Sequence, residues 1–296
     1  MIDLRYHVYS LAAVFFALAI GIVIGTSFVG KPADREQMLR IAERYERNLE
    51  GLQNAIRKQQ NDLRSTRADF NRAEKMCETL MPLAFKDKLL YHNVAIVQTG
   101  DYDELTTSLR TVIEASGGTV TSVTKISSSF DFENPNDVSE ALIEAGIVQE
   151  RDESGRTAIL HTIAEALVNA RNADKLRSLE ENKVINLSGD YTRWNRNVVV
   201  IGGSVSSSSH QAEVIDAPLI DELISLGANV VACEPLNAKA SYVQVWKRHD
   251  VSTIDNADRS CGKAALLCAI GGEKGHFGQK RTADRLIPKT LESTND

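Results

Sequence analysis

The chain is poor in several of the features that usually declare a function. Its 296 residues hold four cysteines, Cys77, Cys233, Cys261 and Cys268. They are too few and too scattered for a disulfide framework. No CxxC or HxxxH pair occurs, so a closed zinc site is not expected. Neither G-x-G-x-x-G nor a Walker loop is present, which removes the strong nucleotide signatures. The six histidines are scattered, and no Ser/His/Asp or Cys/His order stands out, so no enzyme is expected. Proline is scarce: none falls between residues 33 and 81, where glycine occurs once, at Gly51. From residue 82 onward 22 basic residues face 30 acidic ones. That excess of acid argues against nucleic acid as the main partner and leaves metal cations open.

What is present begins with a charge-free stretch over residues 8–30, almost wholly apolar from 11 to 29. At about 1.5 Å per residue it can cross a hydrocarbon core of roughly 30 Å. Signal-peptide cores run to only about 7–15 residues, so an uncleaved single-pass anchor is expected. Gly25, Thr26 and Ser27 leave a cleavage site open. Ala17, Gly21 and Gly25 are spaced by four, a stripe that lets two spans pack closely, although small residues are also common in spans generally. Lys31, Arg35, Arg40, Arg44 and Arg47 would keep the body in the cytoplasm by a count of basic residues. They alternate with Asp34, Glu36, Glu43 and Glu46, as helical ion pairs do. The sequence alone therefore leaves the side of the membrane open.

Residues 31–82 read as one heptad helix. Leu49, Leu52, Ile56, Gln59, Leu63, Thr66, Phe70, Ala73, Cys77 and Leu80 follow alternating three- and four-residue steps, the a/d seam of a coiled coil. Upstream, Met38, Ile41, Tyr45 and Leu49 step by 3, 4 and 4, a stutter that locally unwinds a supercoil. Pro82 is expected to end the helix. A seam of this length needs a cover. The economical one is the same helix of a second copy, giving a homodimer; the other is a hairpin against the chain's own body. In a parallel dimer Cys77 meets its twin.

Residues 90–290 alternate short apolar runs with helical patterns. Strands are expected at 93–99, 119–126, 184–187, 197–201, 229–233 and 252–254. Helices are expected at 103–115, 137–144, 157–170, 211–226 and 262–269. The fold class is α/β: an N-terminal transmembrane helix (1–30), a long coiled-coil helix (31–82), then a Rossmann-like parallel-sheet domain. The strands are shorter than those of membrane barrels and apolar throughout, which excludes a pore of that kind.

Candidate ligand residues lie where strands end. Gly202, Gly203 and Ser204 follow a strand, and the serine run 206–209 adds hydroxyls; the pattern fits a tight turn or an anion site. Glu234 ends the next strand. Asp255, Asn256 and Asp258 form an acidic loop able to bind a cation or act as a base, or, for Asp258, to cap the following helix. Met76, Cys77 and Met81 are soft ligands within six residues, suited to copper(I), or seam packing. Cys261 and Cys268 share a helical face and read as apolar packing. His276 is expected in a loop.

Two terminal motifs carry a resemblance. Leu4-Arg5-Tyr6-His7 is followed by Ser10-Leu11-Ala12-Ala13-Val14-Phe15. Far downstream come Glu234-Pro235, Ser241-Tyr242, Ser252-Thr253-Ile254-Asp255-Asn256-Ala257-Asp258, Gly262, Ala265-Leu266, and Gly278-x-Lys280-x-Thr282-Ala283-Asp284 through Pro288. Together they resemble the mycobacterial copper transport protein B family nearly end to end. Tyr6 departs from the His frequent there, and His276 from the Tyr. The resemblance implies a cell-envelope protein linked to copper export and homeostasis, with an extracytoplasmic body. It implies no cofactor, copper being the transported or sensed ion, and supplies no copper ligands. The competing expectation is a coiled-coil-tethered scaffold or ligand-binding module of the envelope with no transport activity of its own. One span cannot line a wide pore unless several assemble.

Overall fold

The computed structural model describes residues 4–28, 32–149, 153–206 and 211–292. Serines 207–209 of the serine run, residues 29–30 at the end of the charge-free stretch and Lys31 lie outside them. Two compact units divide the chain, residues 1–71 and 72–296.

The described residues of the first unit are helical. Helix α1 spans Leu4–Phe28, and within it Tyr6–Ser27 has a mean hydropathy of 2.4, long and apolar enough to cross a membrane. Helix α2 spans Pro32–Ala84 and carries over into the second unit. At about 1.5 Å per residue, such a helix is about 80 Å long. The seam side chains Leu49, Leu52, Ile56, Leu63, Phe70 and Leu80 are all exposed. Pro82 does not end the helix, contrary to expectation; α2 runs two residues past it. A proline costs one backbone bond to the fourth residue before it. Here that loss falls in the final turn, where burial of Met81 and Phe85 offsets it.

The second unit is a seven-stranded sheet in the order β3-β2-β1-β4-β5-β6-β7. Strand β1 (Asn93–Gln98), helix α3 (Asp103–Ala115) and strand β2 (Thr119–Ile126) open it. Helices α4 (Pro135–Glu144), α5 (Gly155–Asn169) and α6 (Ala173–Glu181) follow, then β3 (Ile185–Gly189) and β4 (Asn197–Ile201). A π-helical turn (Ala212–Asp216) leads into α7 (Ala217–Ser225) and β5 (Asn229–Cys233). Helix α8 (Val243–Trp246), β6 (Ser252–Ile254), α9 (Ser260–Ile270), β7 (His276–Phe277) and α10 (Lys289–Glu292) complete it. All neighbouring strands are parallel except β3, which runs antiparallel to β2 from Ile126↔Ile185 to Ser122↔Gly189. The expected Rossmann-like parallel sheet is present, with one antiparallel edge strand: α4, α5 and α6 intervene before β3.

The continuous apolar runs of β1 and β4 follow from burial on both faces. Successive side chains alternate between two cores. Ala95, Val97, Val198 and Val200 join the core under α4–α8. Val94, Ile96, Val199 and Ile201 join the core under α3, α9 and the end of α2. Local signals set the helix starts: the Asn134 side chain accepts from Asn136 N at 3.0 Å ahead of Pro135, and Ser154 Oγ accepts from Thr157 N at 3.1 Å. The helix expected over 211–226 begins with the π turn instead. Pro218, in the first turn of α7, cannot donate to a carbonyl one turn back, and a widened turn accommodates it. His276, expected in a loop, lies in β7 opposite Thr253, in a strand of two residues that is too short to show periodicity.

Candidate functional site

In an open α/β sheet, ligands bind outside the carboxyl ends of the strands where strand order reverses. Here that place lies between β1 and β4, and the loops after β1, β4, β5, β6 and β7 gather around it. The loop after β1 touches the glycine turn after β4. Thr99 N and Gly100 N donate to Ile201 O at 2.9 and 3.1 Å, and Asp101 N donates to Gly203 O at 3.3 Å. A Cβ on Gly100 would fall 2.7 Å from the carbonyl carbon of Gly202 and closer still to Gly203 O. Only glycine allows this approach.

Asp101 then decides what the turn can hold. Its Oδ2 accepts from Ser204 Oγ at 2.6 Å and from Val205 N at 3.1 Å. Ser206 N donates to Ser204 Oγ at 3.0 Å. A phosphate cradle needs such donors free and no anion beside them. The chain's own carboxylate occupies that position, so the geometry favours a fastened turn. Beneath it, Asp216 is fully buried on the π turn and accepts from Trp246 Nε1 at 2.7 Å. Its other oxygen, Oδ1, makes no hydrogen bond of ordinary geometry among the described residues. Burial, reinforced by nearby Glu234, pushes its carboxyl up to about 7.

The predicted acidic residues are spent on neighbouring loops. Glu234, with no exposure, accepts from Ser241 Oγ at 2.5 Å and Tyr242 N at 2.8 Å and pairs with Lys280. Asp255 accepts from Gln279 N at 2.7 Å and Lys280 N at 2.9 Å. Asp258 Oδ1 accepts from Leu236 N at 2.7 Å, and Oδ2 lies 3.3 Å from Arg259 Nε. The expected capping of α9 by Asp258 is corrected. Glu74 of α2 accepts from Ser260 N at 2.5 Å, and the neighbouring Glu78 pairs with the buried Lys263 at 2.8 Å. The structure thus brings Gly202, Gly203, Ser204 and Glu234 together and sets Asp255 and Asp258 on flanking loops. Asp101 and Asp216 were not singled out from the sequence, and Lys280 stood there only within the family motif. Thr99-Gly100-Asp101, directly after a strand, was the available signal. What stays open is an acidic cavity of about 560 Å³ lined in part by Asp101, Asp103, Glu104 and Asp258.

Residues 1–288 match the family described as "Copper transport outer membrane protein, MctB". The chain belongs to this family. Relatives named "Copper transporter MctB" from Mycobacterium bovis and Mycobacterium tuberculosis are 24% identical to it over 310 residues. The similarity covers 94% of this chain and 96% of each relative. The family match takes in α1, α2 and the sheet domain through β7, short of α10.

Membership raises the question of copper ligands. Met76 and Cys77 are exposed on α2, whereas Met81 turns into the core shared with Phe85 and Leu89. Cys77 and Met81, four residues apart, are neighbours on the helix, but with Met81 buried and Met76 and Cys77 exposed the three sulfurs are not presented together. Burial pushes the Cys233 thiol up strongly, with Glu234 adding to it, and pushes Cys268 up to about 11; Cys261 is raised too, chiefly by burial. A thiol so shifted resists the deprotonation that soft-metal ligation requires. Among the described residues, no group of three or more His, Cys, Asp or Glu is placed to hold a metal ion.

Proposed function

We propose that this protein is a single-pass, membrane-anchored component of copper export and homeostasis. It acts as a homodimer through α2, with the sheet domain on the extracytoplasmic side. The family match carrying from α1 to residue 288 is the observation behind this reading. The dimer is supported by the exposed heptad seam of α2, which leaves a stripe of leucine, isoleucine and phenylalanine in water unless another helix covers it. The extracytoplasmic side is supported by the outer-membrane description of the family.

The test is copper tolerance and cell-associated copper in a deletion strain, complemented with the full chain or with a version lacking residues 1–30. The expected result is copper accumulation and sensitivity that only the full chain reverses. Unchanged copper content in the deletion strain overturns the reading. A second reading, an envelope scaffold that conducts nothing, is favoured by two observations. The chain has a single candidate span among its described residues, and the carboxylates at the carboxyl edge are engaged in holding loops. It predicts unchanged copper handling together with an envelope defect.

A further inference from the structure

A polar cavity lies against α5 and α7. Its volume is about 670 Å³, and its walls include His161, Glu165, Glu222, Glu153, Asn172 and Lys175. His161 and Glu165 are four residues apart on α5, hence neighbours on one helical face. The imidazole stands between two carboxylates. Its Nδ1 lies 2.7 Å from Glu222 Oε2, and its Nε2 lies 3.9 Å from Glu165 Oε2. An ionised carboxylate only accepts, so the proton of the neutral ring sits on Nδ1 and the Nε2 lone pair faces Glu165. Glu165 is held in turn, accepting from Asn172 Nδ2 at 2.7 Å.

We propose that this cavity binds a divalent transition-metal ion between His161 Nε2 and Glu165, with Glu222 and Asn172 as positioning residues. Metal bonds of about 2.0–2.2 Å to nitrogen and oxygen place two ligand atoms about 3.0 Å apart at the 90° angle of tetragonal copper(II) and about 4.2 Å apart at 180°. The observed 3.9 Å lies inside that range, and a small rotation of the Glu165 carboxylate closes it. A histidine ligand that donates its other ring N–H to a carboxylate, beside a carboxylate ligand that is itself hydrogen-bonded, is the usual support of such a site. Two protein ligands leave the remaining positions to water. One imidazole and one carboxylate suit copper(II), nickel(II) or zinc(II), with copper(II) bound most tightly. No thiol or thioether lines the cavity, which excludes a copper(I) preference.

The experiment uses the full chain purified in detergent, titrated with copper(II) from a weak chelator and followed by calorimetry and electron paramagnetic resonance. The wild type is expected to bind one copper(II) showing coupling to a single imidazole nitrogen. His161→Gln abolishes that signal. Glu165→Gln weakens it, and Glu222→Gln weakens it by about 10–100-fold without changing the ligand set. Cys77→Ser leaves it intact. The proposal is overturned if His161→Gln keeps the nitrogen coupling, if Glu165→Gln binds as the wild type does, or if Cys77→Ser removes the ion. It is equally overturned if the wild type takes up no copper(II) at micromolar concentration. These readouts come from purified protein and stand or fall apart from copper tolerance in cells.

Discussion

Replacing Asp216 by asparagine should stabilise the sheet domain above neutral pH and do little near pH 4. The carboxyl is fully buried beneath the Gly202–Gly203 turn, with one oxygen on Trp246 Nε1 and the other without a hydrogen bond of ordinary geometry among the described residues. Burial raises it from the ordinary 3.8 to about 7. Below pH 4 it is protonated in both folded and unfolded chains and contributes no pH dependence. Between about 4 and 7 the unfolded chain releases the proton while the folded chain keeps it, so stability falls as pH rises. Above about 7 the loss is complete. A rise from 3.8 to about 7 corresponds to about 4 kcal/mol. Asparagine keeps an acceptor for Trp246 and carries no charge. The assay is urea unfolding of the purified chain from pH 4.5 to 8, followed by Trp246 fluorescence in a Trp194→Phe background. Asp103 and Asp284, whose pKa values are lowered by bonds to Lys125 and Lys247, act in the opposite sense but cancel in the difference between variant and parent. That difference should open with pH towards a few kcal/mol and level off above neutrality. A pH-independent offset, or a parent more stable than the variant at pH 8, refutes the reasoning.

Two further outcomes follow from α2 and the glycine turn. Oxidation should cross-link Cys77 to its twin, giving a dimer band on non-reducing gels. Ile56→Asp, which places a charge on the exposed seam, should abolish the band while leaving the fold of the sheet domain unchanged. Gly100→Ala should destabilise the sheet domain by about 3 kcal/mol or more, because its Cβ meets the backbone of Gly202 and Gly203; a Cm unchanged within error would show that the loop yields.

The legible part of the fold was the part with strong periodicity. β4 and β5 lie where the apolar runs place them, because strands covered on both faces leave unbroken signals; β2 and the three-residue β6 also lie within the expected bounds. Helices α6 and α8 were not legible. α6 is short and buries only Leu176 and Leu179; α8 has four residues and is held by Trp246 and Val243 against the core. The reversed edge strand was hidden for a different reason: direction depends on how α4, α5 and α6 route the chain, and no local pattern encodes it. At the carboxyl edge, the glycine turn and the acidic residues were visible as types in the sequence. Their partners were not. Asp101 bonds to Ser204 and Val205 across more than a hundred residues, and Lys280 reaches Glu234 across 46. A carboxylate that looks available in sequence becomes a fastener once a distant N–H finds it.

The base of α2 shows that the seam and the sheet domain do not compete for the same surface. Glu74, Glu78 and Met81 follow one another on one side of the helix, and each is engaged by the domain, through Ser260, Lys263 and the core respectively. Ala73, Cys77 and Leu80, the last positions of the seam, lie about 100° around the helix axis at 3.6 residues per turn. They are exposed. A second helix laid along the seam can therefore continue to Leu80 without displacing Glu74 from the first N–H of α9 or Glu78 from Lys263. The same helix that would pair with its twin also holds the start of α9, which follows directly on the Asp255–Asp258 loop. A change of register in the coil would be felt there first, as a shift in the helix turn that carries Glu74 and Glu78.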